Sequence, residues 1–297
     1  MRTDLNTLLT ALYVRIDDYL APSRRAGRPP RLTDAELLTL AVAQVLLGVR
    51  SEARWLRLVP AALPGAFPYL PGQSGYNKRL RAALPLLKRV IRMLAADTDL
   101  WGDPVWLVDS TPGGVRPLPP HRTALEPGRL RRLRLLRLPL PLLLGTAPAP
   151  GLHSGRAADH WALAHPKLDE RQVLMAVLDQ DRHLLAARPG LLLIADKGYA
   201  SAELDSYLDH HGVELLRPAY RNRAPRPGQQ LLAPIRQLIE SVHDTLKGQL
   251  DLELHGGRTL TGVATRVAQR ILALTAAIWH NRATGQPITR SLIAYDH

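Results

Sequence analysis

Two aspartates in this 297-residue chain each close an apolar, strand-like run: Val105 to Val108 leads into Asp109, and Leu191 to Ala195 leads into Asp196. A carboxylate at the end of a buried strand is costly unless a site uses it, because a desolvated charge needs a partner or a metal. Open α/β sheets gather ligands at the carboxyl ends of their strands, so the two acids are expected to share one site. The third candidate is Glu240. Arg236, Glu240 and Lys247 are four and seven residues apart, a spacing that puts all three on one helical face, with His243 and Asp244 beside them. An ordinary Arg236–Glu240 ion pair fits the same spacing. Three clustered carboxylates would form an oxygen cage for Mg²⁺, a hard cation. Two such ions about 4 Å apart activate the attacking oxygen and stabilise the leaving oxygen of a phosphodiester.

The composition suits a polyanionic substrate. Lys and Arg number 39 against 26 acids, for a net charge of +13 and a pI near 10.6. That balance favours nucleic acid as partner, although an Arg-rich coding bias produces the same excess. The absence of Cys excludes disulfides, thiolate metal sites and a Cys nucleophile. His121, His153, His160 and His165 match no zinc-ligand spacing. Without an amino-terminal signal, and with the Leu133–Leu144 run too short and too interrupted to span a bilayer, a cytoplasmic, nucleoid-associated location is expected.

The elements that must position these residues follow from periodicity. Residues 3–20 carry a helical stripe of Leu5, Leu8, Leu9, Leu12, Val14, Ile16 and Leu20, and 24–31 is a basic linker. Thr33 and Glu36 form a capping box before a buried helix, Leu37 to Leu47. A short helix opens at Ser51, and one longer helix is expected over Ser74 to Leu94, bearing Lys78 and Arg79 on a basic face. This all-helical part, residues 1–98, would present Lys78 and Arg79 to DNA, although a plain bundle with solvated Arg and Lys fits the spacing equally well. A polar boundary at Asp97 to Asp103 leads to a second domain, 104–297. There a helix over Val173 to Leu185 is capped at Asp169, and a strand over Leu191 to Ala195 is followed by a Ser201-capped helix, Ala202 to His210. Further on come a strand at Val213 to Arg217 and helices at Ala233 to Leu252 and Thr261 to Asn281.

Together, Val108-Asp109-Ser110-Thr111-Pro112, Ala195-Asp196-Lys197-Gly198-Tyr199 and Arg236-x3-Glu240-x6-Lys247 resemble the motifs of DDE transposases of bacterial insertion sequences, of the IS4-like superfamily and closest to the IS982 family. The resemblance covers residues 1 to 112 and 161 to 297. It implies an α/β fold: a ribonuclease-H-like catalytic domain with a mixed sheet, preceded by the helical DNA-binding region. It also implies two Mg²⁺ or Mn²⁺ ions held by Asp109, Asp196 and Glu240, with Arg236, Lys247 and Lys197 on DNA. The expected partners are double-stranded DNA, at transposon ends and target, and further copies of the chain assembled on that DNA. The reaction implied is cleavage and strand transfer. Family motifs often place Tyr three residues before the Arg, where this chain has Ala233.

The segment 113–160 stands apart. It contains no Phe, Tyr, Trp, Lys, Ile or Met, and prolines recur at 117, 119, 120, 127, 139, 141, 148 and 150. In the resembling fold this region supplies the second and third strands, beside the first. Its composition instead predicts an irregular segment, of the kind a GC-rich gene yields when read out of frame between two compensating shifts; a Pro/Arg-rich disordered insert is the alternative. On that expectation this copy is poorly active or inactive. The rival functions are a non-catalytic DNA-binding remnant of a transposase and a stand-alone ribonuclease-H-like nuclease.

Overall fold

The computed structural model describes residues 4–20, 30–98, 103–114, 137–146, 157–162, 164, 168–180, 185–186, 188–219, 232, 240–288, 292 and 295; at 109–114, 137–146 and 157–160 the description is of the backbone. The chain divides into two compact units. One comprises Met1–Leu94 with Leu246–His297, the other Ala95–Thr245.

The first unit is helical. Helix α1 (Leu5–Leu20) buries Leu5, Leu8, Leu9, Leu12 and Ile16, whereas Val14 is 49% exposed. The expected stripe was too wide by that residue, since position 14 falls two residues from both 12 and 16 and so points to another face. Helix α2 (Asp34–Leu46) starts with both bonds of the capping box: the Glu36 amide donates to Thr33 Oγ1 at 3.1 Å, and the Thr33 amide donates to Glu36 Oε2 at 2.6 Å. Helix α3 (Glu52–Ala62) is capped by Ser51.

The single helix expected over 74–94 is two helices, α4 (Gln73–Ala82) and α5 (Leu84–Ala96), separated at Ala83. The cause is Pro85. Its ring has no N–H to donate and clashes with the carbonyl four residues earlier, so it suits a first turn, and the helix restarts there.

The long helix α8 (Leu260–Ala283) packs against α1, α2 and α4. The sequence-based boundary grouped residues 246–297 with the sheet, whereas the compact units group them with the amino-terminal helices. A helix buried on most of its circumference, as α8 is from Val267 to Ile278, needs other helices around it. Its buried Gln269 Nε2 donates to the Ala41 carbonyl at 2.7 Å and to Gln44 Oε1 at 3.3 Å, and the Tyr76 hydroxyl donates to that same Gln44 oxygen at 3.1 Å. These three side chains therefore satisfy one another.

The second unit is built on a sheet of order β3-β2-β1-β4-β5. Strands β1 (Val105–Gly114), β4 (Leu192–Ile194) and β5 (Glu214–Leu216) run parallel, in registers Leu107↔Ile194 and Ile194↔Leu216. Backbone pairing continues on the other side of β1, where β2 (Arg137–Thr146) is antiparallel to it and β3 (Ala157–Trp161) is antiparallel to β2. One face of the parallel strands buries Trp106, Val108, Leu193 and Ala195. These pack against Leu174, Val177 and Leu178 of α6 (Glu170–Gln180) and against Leu204 and Leu208 of α7 (Ala202–His210). Full burial contributes about 2 kcal/mol per large apolar side chain.

Two expectations are corrected here. The segment 113–160, expected to be irregular, contains β2 and the start of β3; its residues 115–136 and 147–156 lie outside the described residues. The Leu-rich stretch 138–144 is apolar enough to pair beside a buried strand. Among the described residues β3 pairs with β2 from Leu142 onward, so Pro139 and Pro141 lie outside that ladder. The first strand, expected to end at Asp109, runs on to Gly114 because β2 pairs with it throughout.

Candidate active site

The parallel ladder between β1 and β4 ends at the pair Leu107↔Ile194. Asp109 lies two residues past the first of these and Asp196 two residues past the second, so both sit at the same level just beyond the carboxyl end of the shared ladder. Neighbouring strand backbones are about 5 Å apart, which brings the two positions within the span of one metal centre.

Asp196 is exposed, and the turn that follows it fixes its carboxylate. The Gly198 amide donates to Asp196 Oδ1 at 2.7 Å, opening a short 3-10 turn, Lys197–Tyr199. A Cβ at position 198 would approach that oxygen to 2.9 Å, so glycine is what lets the carboxylate accept from the turn. Below the turn, Tyr199 is fully buried. Its carbonyl accepts from Arg217 Nη1 at 3.4 Å, and Arg217 also pairs with Asp205 through Nη1–Oδ1 and, at 2.6 Å, through Nη2–Oδ2. From the other side Arg171 Nη1 donates to the Ala200 carbonyl at 2.8 Å. The strand-end turn is thus tied to β5's following residue and to α6, while Asp196 and Lys197 themselves are exposed.

Glu240 is exposed and begins the described part of its helix, 240–244. The α-helical repeat stops there, for Thr245–Gln249 is π-helical. A π turn holds more residues than an α turn, so the repeat between 240 and 247 is not the regular one that the sequence spacing assumes. Lys247 approaches Glu253 at 3.9 Å, and Arg236 lies outside the described residues. Of the helical cations expected on DNA, Lys78 is exposed, whereas Arg79 donates to the Leu32 carbonyl at 2.6 Å and to Asp34 Oδ1 at 2.9 Å, and so serves to fasten α4 to the start of α2.

Among the described residues no group of three or more His, Asp or Glu side chains gathers to hold a metal ion; the Asp109 carboxylate is outside that description. The donor set is nevertheless of the right chemistry, since carboxylate oxygens are the ligands of hard divalent ions and Asp196 offers one that the turn leaves open. Sequence reasoning missed Asp103, at the opposite end of β1. It is buried, its Oδ1 accepts from the Val105 amide at 3.0 Å, and its Oδ2 has no hydrogen-bond partner among the described residues. Burial pushes its pKa up to about 6. It lies at the amino end of the strand, away from the level of Asp109 and Asp196.

No family model matches the chain, and no curated protein matches it. Among solved structures it is similar to the Mos1 strand transfer complex, at 14% identity over 90% of this chain and 82% of that one, with a TM-score of 0.25. It is also similar to a pre-cleavage Mos1 transpososome, at 12% identity over 93% and 84% of the two chains, with a TM-score of 0.22. Scores this low do not establish a shared fold. Among the described residues no helix is long and apolar enough to cross a membrane.

Proposed function

We propose that this chain is a DDE-type transposase of the kind found in bacterial insertion sequences, related to the IS982 family, which cleaves and joins DNA strands with divalent metal. The observation that carries the proposal is the register of β1 and β4, which sets Asp109 and Asp196 side by side past one parallel ladder. The three motifs, in order, supply the chemistry, and the strand order, with β2 and β3 beside β1, supports the reading of a ribonuclease-H-like domain.

In this reading Asp109, Asp196 and Glu240 hold Mg²⁺ or Mn²⁺, which when bound would activate the attacking oxygen and stabilise the leaving oxygen. The chain's own part is to keep the acids in place. The Gly198 amide holds Asp196 Oδ1, and Arg171 and Arg217 anchor the turn through the Ala200 and Tyr199 carbonyls. Lys197 and Lys78, both exposed, contact phosphate, as do Arg236 and Lys247, and the protein assembles as an oligomer on double-stranded DNA. The proposal that this copy is weakened by a compensated frameshift rests on the composition of 113–160 alone. Translation of the gene in the other two frames tests it: an aromatic-rich, alternating pattern would support it, and none would end it.

The test of function is cleavage and strand transfer on element-end duplexes with Mg²⁺. Metal-dependent joining that disappears in Asp109→Asn and Asp196→Asn, both still folded and still binding DNA, is the expected result. Cleavage without joining and without preference for ends would favour a stand-alone nuclease. DNA binding without any metal-dependent cleavage would leave a non-catalytic remnant.

A further inference from the structure

Three helices of the first unit begin around one cavity of about 550 Å³. Its wall takes Ser51 and Glu52 from the start of α3, Gln73 from the start of α4, and Thr259 and Gly262 from the start of α8. Each helix amino terminus carries unsatisfied N–H groups and about half a positive charge, so three converging on one space favour an anion there. The α4 terminus is the barest, because its cap is Gly72 and no side chain bonds its first amides.

Four arginines line the same cavity: Arg50, Arg81, Arg258 and Arg266. Two of them are matched. Arg266 pairs with Glu52, whose oxygens also accept from Asn77 Nδ2 at 2.9 Å, and Arg50 makes a bidentate pair with Asp251 at 2.6 and 2.7 Å. Arg81 and Arg258 are exposed at the cavity and have no ion-pair partner among the described residues. The acid in the wall is therefore already neutralised, and two guanidinium groups are in surplus.

A glycine turn completes the wall. Gly256 has a φ of +69°, and a Cβ on Gly257 would lie 2.8 Å from the Val263 amide nitrogen, so the turn can rest against the first turn of α8 only without side chains. His255 braces it, its Nδ1 accepting from the Gly257 amide at 2.9 Å. A glycine-rich turn running into a helix amino terminus brings backbone close to an anionic ligand.

We infer that this cavity binds the phosphate group of a nucleotide, with Arg81 and Arg258 closing on the phosphate oxygens. Guanidinium forks suit phosphate, which they bind bidentately. The volume falls in the range of ordinary ligand sites, roughly 300–1,000 Å³, and leaves room for a sugar or base beside the phosphate. The nucleotide is either free or part of a DNA strand, and neither case depends on the chemistry of Asp109 and Asp196.

The test compares the full-length protein with the double variant Arg81→Gln/Arg258→Gln. A second double variant, Arg54→Gln/Arg57→Gln, loses the same charge from α3 outside the cavity. Titration calorimetry with a deoxynucleoside monophosphate reads the free ligand, and fluorescence anisotropy with a short duplex at several salt concentrations reads DNA. A free-nucleotide site predicts monophosphate binding that weakens about tenfold or more in the cavity variant alone. A strand-phosphate site predicts weaker duplex binding with a salt slope smaller by about one per lost phosphate contact, again only in the cavity variant. If the cavity variant matches wild type with both probes, or the control pair loses as much, the inference is overturned.

Discussion

At the scale of single residues, two buried titratable groups have opposite effects on stability. Asp103 has its pKa pushed up to about 6 by burial, so the folded state holds its proton more tightly than the unfolded chain does. Stability from this group is full below the ordinary carboxylate range and is lost as pH rises through about 6, a loss on the order of 2–3 kcal/mol. His255 is the reverse: burial, then the charges of Arg270 and Arg266, push its pKa down to about 4. Its stability is present above the ordinary histidine value and is lost as pH falls from about 6.5 toward 4. The two slopes overlap and partly cancel in the native protein. Denaturant titrations across pH 4 to 7 should therefore show a steeper rise of stability with pH in Asp103→Asn, and a flatter or falling trend in His255→Gln. Parallel curves for all three proteins would contradict the assignment of these shifts.

At the scale of elements, the helix starts are governed by local chemistry and the helix lengths are not. The capping box of α2 satisfies two otherwise orphaned backbone amides, and Thr33→Ala should cost about 1 kcal/mol in chemical denaturation. An unchanged midpoint would mean that the first turn of α2 is held by packing instead. The breaks are where tertiary and covalent constraints interrupt a good pattern: Pro85 splits α4 from α5, and the π turn at Thr245–Gln249 ends the regular repeat after Asp244. Both were invisible to a count of apolar spacing, although Pro85 stood in the sequence as a signal.

At the scale of the whole molecule, the net charge of +13 makes a distinct prediction about the partner. Binding to any duplex DNA should weaken linearly on a log–log plot against salt, each neutralised phosphate contributing about 0.9 to the slope. A slope near zero would show that the excess of Arg is compositional and not an interaction surface. The chain path adds a second point. Residues after Thr245 return to the unit built by the first ninety-four, so the unit holding the phosphate cavity is assembled from both ends of the sequence.

The sequence by itself determined the local features: the capped helix starts at Ser51, Ser201 and Thr33, the apolar strands before Asp109 and Asp196, and the motifs that name a chemistry. These depend on residues within a turn or two of each other, where propensity and capping operate. Only the tertiary structure decided that Asp109 and Asp196 stand at one level, because strand register is a relation between segments some eighty residues apart. It likewise decided that the Pro-bearing 137–146 stretch pairs with β1, a relation between distant segments that periodicity within the stretch does not carry. The His255–Thr259 turn was overlooked for the same reason. Two glycines before a helix are an ordinary stop signal, and they become a wall of a binding site only when two other helices begin beside them.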